Sequence, residues 1–106
     1  MSSPFDPNQP QGFEALQVPP AAADRGGIEI MRAGIIDDGL HVTLRPVFED
    51  TALWGRVFAD MAFQVARAYS HQGRGDPNQI LASIRAAFDA DMNNPPDVHS
   101  EVGPIS

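Results

Sequence analysis

Cysteine is absent from this 106-residue chain, which excludes disulfides, thiolate metal ligands and thiol nucleophiles together. Lysine is absent as well, so all seven basic side chains are arginine. No stretch approaches the roughly 18 apolar residues that a membrane-spanning helix needs. The opening MSSPFDPNQP has neither the positive charge nor the apolar run of a secretory leader. A cytoplasmic location and no membrane partner are therefore expected. Positive charge is scarce, because 14 acidic residues against 7 basic ones leave a formal charge of −7. Such a surface repels phosphate backbones, and no nucleic-acid partner is expected.

What is present is enough for one domain and too little for two. Hydrophobic residues make up 42 % of the chain, an ordinary globular proportion. Five of the ten prolines fall within residues 1–20, mixed with Gln, Asn, Ser and Gly. Residues 1–26 accordingly read as a mobile arm without regular helix or central strand. Its apolar residues Phe5, Phe13, Leu16 and Val18 are spaced irregularly, as expected of side chains that touch a domain surface. Residues 94–106, with Pro95, Pro96 and Pro104, read as a disordered tail. The folded domain is expected over 27–93.

That domain begins with a strand at Ile28-Glu29-Ile30-Met31, rich in β-branched residues. Asp38-Gly39 is a turn signal, since both central residues of a type I′ turn need positive φ. Leu40 through Arg45 then alternates apolar with polar, the period of a half-buried strand. A turn at Asp38-Gly39 pairs Asp37 with Leu40, Ile35 with Val42 and Ala33 with Leu44. One face then carries Met31, Ala33, Ile35, Leu40, Val42 and Leu44, and the other Arg32, Gly34, His41, Thr43 and Arg45. Pro46 cannot donate to a ladder and marks the strand's end.

Asp50 is the expected N-cap of a long helix, whose stripe is Trp54, Val57, Phe58, Met61, Val65, Ala68 and Tyr69. Gly73 stops it. Asp76-Pro77-Asn78-Gln79 combines a cap, a proline at the first helical position and a glutamine at the capping-box position. The second helix carries Ile80, Leu81, Ile84, Phe88 and Met92. The fold class is α+β, one antiparallel β-hairpin followed by two α-helices (ββαα).

Such a domain has an unfinished core. Two helices cover only one face of a hairpin, and a two-stranded hairpin is marginal alone. Area burial against chain entropy comes out near zero for so small a unit, and association is the usual remedy. Opposite the main stripe of the first helix lies a second apolar strip, Ala52, Ala59, Phe63 and Ala66. Ala59, Phe63 and Ala66 are therefore candidate interface residues for a homodimer or for another protein. A dimer can also join two hairpins into a four-stranded sheet that leaves no naked inner edge.

Chemistry is sparsely signalled. His41, His71 and His99 have no partner at metal-ligand spacing, and no glycine-rich phosphate loop follows a strand. No catalytic residue, metal site or cofactor is read, and an enzyme is not favoured. One constellation carries a binding hypothesis. The expected register sets Arg32 across from Arg45, beside His41 and Thr43, and like charges there need neutralising. Either the four residues bind a small anionic ligand, or an acid such as Glu29 or Glu49 supplies the charge. The second reading is preferred in so acidic a chain.

Val18-Pro19-Pro20-Ala21-Ala22, Glu29 to Arg32, Gly39 to Pro46, Trp54-Gly55 and Ile84 to Asp89 together resemble the proteobacterial family catalogued as domain of unknown function 5076, over about residues 18–91. The resemblance implies one compact α+β module and no catalytic role. Many members carry a tryptophan near Gly34 and a histidine near Gln64, and a site built on either is missing here.

Overall fold

The computed structural model describes residues 12–95 and the strand residues 101–102. Its elements in chain order are α1 (Pro20–Arg25), β1 (Met31–Ile36), β2 (Gly39–Leu44), α2 (Ala52–His71), α3 (Pro77–Asn93) and β3 (Glu101–Val102). The expected hairpin and helix pair are present. Two short elements lie in the segments read as arm and tail. Pro20 stands at the first turn of α1, where a missing N–H costs nothing and the fixed φ suits a helix, so the paired prolines start a short helix there. β3 runs parallel to β2, pairing His41 with Glu101 and Val42 with Val102. Arm residues 1–11 and tail residues 96–100 and 103–106, Phe5, His99 and Pro104 among them, lie outside the described residues.

The hairpin turn sits one residue earlier than expected. Asp37 and Asp38 adopt φ of 50° and 65°, the positive values of a type I′ turn, and Ile36 pairs with Gly39. Aspartate tolerates this conformation because its short polar side chain bonds locally. The ladder therefore shifts by two residues on β1, to Met31↔Leu44, Ala33↔Val42 and Ile35↔Leu40. An even shift preserves parity, so the apolar face keeps its six members, now as three directly opposed pairs. The same shift separates the two arginines. Arg32 faces Thr43, and the Arg45 N–H extends the ladder by donating to Ile30 O at 2.8 Å. This register avoids opposed like charges and leaves Pro46 beyond the last hydrogen bond.

Both long helices begin and end on local chemistry. Asp50 Oδ1 accepts from Ala52 N–H at 3.0 Å, while Thr51 at the cap position makes no side-chain bond. At the other end Gly73 has φ 71°. Its N–H donates to Ser70 O, and the Arg74 N–H donates to Tyr69 O; this pair of bonds defines a Schellman stop. The Arg74 guanidinium lies 4.3 Å from the centroid of the Tyr69 ring, adding a cation–π contact across the same cap. Asp76 caps α3 by accepting from Gln79 N–H at 3.1 Å, as its sequence signature requires.

α2 packs on α3, but no Cα of β1 or β2 lies within 8 Å of a Cα in either long helix. Ala66, 3 % exposed, is the one buried residue among those described. Several apolar side chains on these elements, Ile35, Leu40, Phe63 and Phe88 among them, stay exposed.

Candidate functional site

Two surfaces hold the residues singled out in the sequence. The first is the polar face of the hairpin. Arg32 reaches back to Glu29, with Nη2 to Oε2 at 3.0 Å and Nε to Oε1 at 3.3 Å. Arg45 Nε donates to the Glu29 backbone carbonyl at 3.1 Å. Both guanidinium groups thus converge on Glu29, whose carboxylate pairs with Arg32 while Arg45 takes its backbone carbonyl. Thr43 is exposed opposite Arg32, and half-buried His41 stands opposite Gly34. The expected direct opposition of Arg32 and Arg45 does not form, for the register reason given above.

The centre of this face is occupied from outside the strands. A Cβ built on Gly34 would come within 2.7 Å of Phe13 Cε1, so the Phe13 ring lies against the bare backbone there. A glycine inside a strand often marks such a close approach. That signal was available at Gly34, but the choice of Phe13 among four arm residues was not.

The second surface is a groove of about 480 Å³ between α2 and α3. Gly55, Phe58, Met61 and Val65 contribute from α2, and Leu81, Ile84 and Phe88 from α3, with Arg85 and Asp89 as its charged groups. Ala59 and Phe63, two of the candidate interface residues, also line it. Ala66, the third, is buried and does not line the groove. The main stripe of α2 was expected to be core, yet Phe58 remains 40 % exposed. Phe63 and Phe88 are 49 % and 51 % exposed. One sector of α2 is polar, with Gln64 Nε2 donating to Asp60 Oδ2 at 3.1 Å.

The aromatic order continues toward the hairpin. Phe48 meets Trp54 edge to face at 5.3 Å between centroids, and Trp54 lies 5.9 Å from Phe58. This row ties the connection after β2 onto the first turns of α2. Among the described residues, no group of three or more His, Cys, Asp or Glu could hold a metal ion. No helix there is long and apolar enough to cross a membrane.

Comparison with known proteins adds a family and a structural relative. The family described as Domain of unknown function (DUF5076) matches residues 15–96. A solved structure of a protein provisionally named a pyruvate dehydrogenase, from the photosynthetic bacterium Rhodopseudomonas palustrus CGA009, is similar at 29 % identity. The likeness covers 88 % of this chain and 97 % of that one, with a TM-score of 0.69. No curated protein matches.

Proposed function

The chain belongs to the DUF5076 family, and on that premise we propose that it is a non-enzymatic protein-interaction module that works as a self-associated dimer. The observation that carries this reading is the near absence of a core beside an apolar groove. Ala66 is buried, while Phe58, Met61, Phe63 and Phe88 each keep roughly two fifths or more of their surface exposed. Fully burying such a side chain contributes about 1.5–3 kcal/mol. Covering the remaining half of four of them is worth roughly 3–6 kcal/mol per groove, comparable with the whole stability of a small domain.

An edge-to-edge sheet between two copies is a further possibility for the same dimer. It has to use β1, because β2 already carries β3 beside His41 and Val42. The groove needs covering in either case. The name of the Rhodopseudomonas protein stays with that protein. Light scattering of the parent and of Phe63→Asp tests the reading: a dimeric parent and a monomeric or unfolded variant support it. A monomeric parent, or a variant that stays folded and dimeric, contradicts it.

A further inference from the structure

We propose, resting on the self-association just described, that two copies join through their β1 edges, antiparallel about a two-fold axis at Ala33. The result is one sheet in the order β3-β2-β1-β1-β2-β3. Within a chain the order β1-β2-β3 leaves β1 at an edge. The turn closes on the pair Ile36↔Gly39, and the Arg45 N–H donates to Ile30 O. Those two pairs fix which residues bond inward, because hydrogen-bonded pairs alternate along an antiparallel ladder. Ile30, Arg32, Gly34 and Ile36 therefore turn their backbone groups toward β2. Met31, Ala33 and Ile35 direct theirs to the open edge, where none of the three makes a backbone bond among the described residues.

Sheet edges are normally blunted by proline, lysine, a bulge or a covering element. β1 reads MRAGII and its register with β2 is unbroken, so the first three are lacking. Its one charge, Arg32, is paired with Glu29. Ala33 is exposed, and Ile35 is 71 % exposed. The other edge of the hairpin is covered, since β3 pairs with β2. Residues 12–18 run beside β1 without bonding to its backbone. Phe13 stands where a Gly34 Cβ would point, which is over a face of the sheet and not in its plane. An open space of about 1160 Å³ lies between this segment and residues 28–36.

The occupant is a second copy because β1 is complementary to itself. An axis at Ala33 pairs Ala33 with the partner's Ala33 and Met31 with the partner's Ile35. The outward N–H and C=O groups of all three residues are then used on both chains. Arg32 comes opposite the partner's Gly34. Moving the axis to Arg32 opposes like charges. Moving it to Gly34 sets Met31 against the partner's Asp37, a turn residue at φ 50° that cannot continue a ladder. With the axis at Ala33, the acids Glu29 and Asp37 meet only past the strand ends. Directly paired residues share a face, so Met31, Ala33 and Ile35 of both copies extend the apolar face of Leu40, Val42 and Leu44 without a break.

Residue-resolved amide exchange on the intact chain, at a concentration where light scattering gives a dimer, tests the pairing. The amides of Met31, Ala33 and Ile35 are expected to exchange at least about tenfold more slowly than those of residues 12–18. A dimeric chain in which all three exchange as fast as that segment would overturn the edge pairing and leave self-association standing. A monomeric chain removes both. The register has its own test, since the chain has no native thiol. Directly paired residues lie about 5.5 Å apart between Cα atoms, within disulfide reach. Ala33→Cys should therefore form linked dimers under mild oxidation. Ile35→Cys should not link to itself but should link to Met31→Cys in a mixture of the two chains. No link at Ala33→Cys, or Ile35→Cys linking to itself as readily, contradicts an axis at Ala33.

Discussion

Phe13 rests its ring edge on Gly34, leaving less than 3 Å for any Cβ at that position. The backbone of Gly34 lies in regular β1 and carries no positive φ, so a side chain there is barred by the ring alone. Gly34→Val is expected to displace the arm, and amide exchange over residues 12–18 should accelerate. Phe13→Ala alone should cost about 1–2 kcal/mol, and in the Gly34→Val background almost nothing, because the contact is already lost. Additive losses would mean that the two residues are not coupled.

The turn position makes a second expectation. With Asp37 at φ 50°, proline cannot occupy the site, and Asp37→Pro should destabilise the hairpin by about 3 kcal/mol. Asp38→Gly should be neutral or stabilise by up to about 1 kcal/mol, as glycine suits positive φ. Thermal midpoints check both. A tolerated Asp37→Pro would place the turn at Asp38-Gly39 after all.

For the polar hairpin face, Glu29 already engages both arginines. Phosphate or small carboxylates are therefore expected to leave the thermal midpoint of the parent unchanged. Glu29→Gln should cost no more than about 0.5 kcal/mol, since the pair is partly exposed. A midpoint that rises with anion concentration and loses the rise in Arg45→Ala would instead establish an anion site.

Helix ends supply the stability tests. Asp76→Ala removes the bond to Gln79 N–H and should cost about 1 kcal/mol. Gly73→Ala forces a side chain onto φ 71° and should cost a similar ~1 kcal/mol. Urea midpoints measure both, and an unchanged midpoint in either would show that the end frays without consequence.

These outcomes divide along what was legible in the sequence. The hairpin, both long helices and the Asp76 and Gly73 signals could be read because each rests on neighbours a few residues apart. The cap position falls on Thr51, one residue later than expected, and Asp50 still accepts from Ala52 N–H. The turn slipped by one because Asp37-Asp38 and Asp38-Gly39 are both competent, and local chemistry alone does not choose between them. Face assignment survived because the register moved by two, an even number. The opposition of Arg32 and Arg45 depended on the register itself and was lost. The paired prolines at 19 and 20 broke no helix, because α1 uses Pro20 at its start.

The candidate site was legible only in part. Periodicity identified which faces of α2 and α3 are apolar, but an apolar stripe carries no record of what covers it. Phe58 and Met61, both on that stripe, stay partly exposed. Ala66, a candidate interface residue, is buried rather than presented at the surface. Phe63 and Ala59 do line the groove. The shortage of buried area was visible from size and composition, and among the described residues Ala66 is the one buried.

The most direct measurement is the solution mass of the intact chain by light scattering after size exclusion, across a dilution series. The expected result is a particle of twice 11.4 kDa that persists until low concentration and dissociates with loss of helix signal. A well-folded particle of 11.4 kDa at every concentration would contradict self-association, and with it the covered groove.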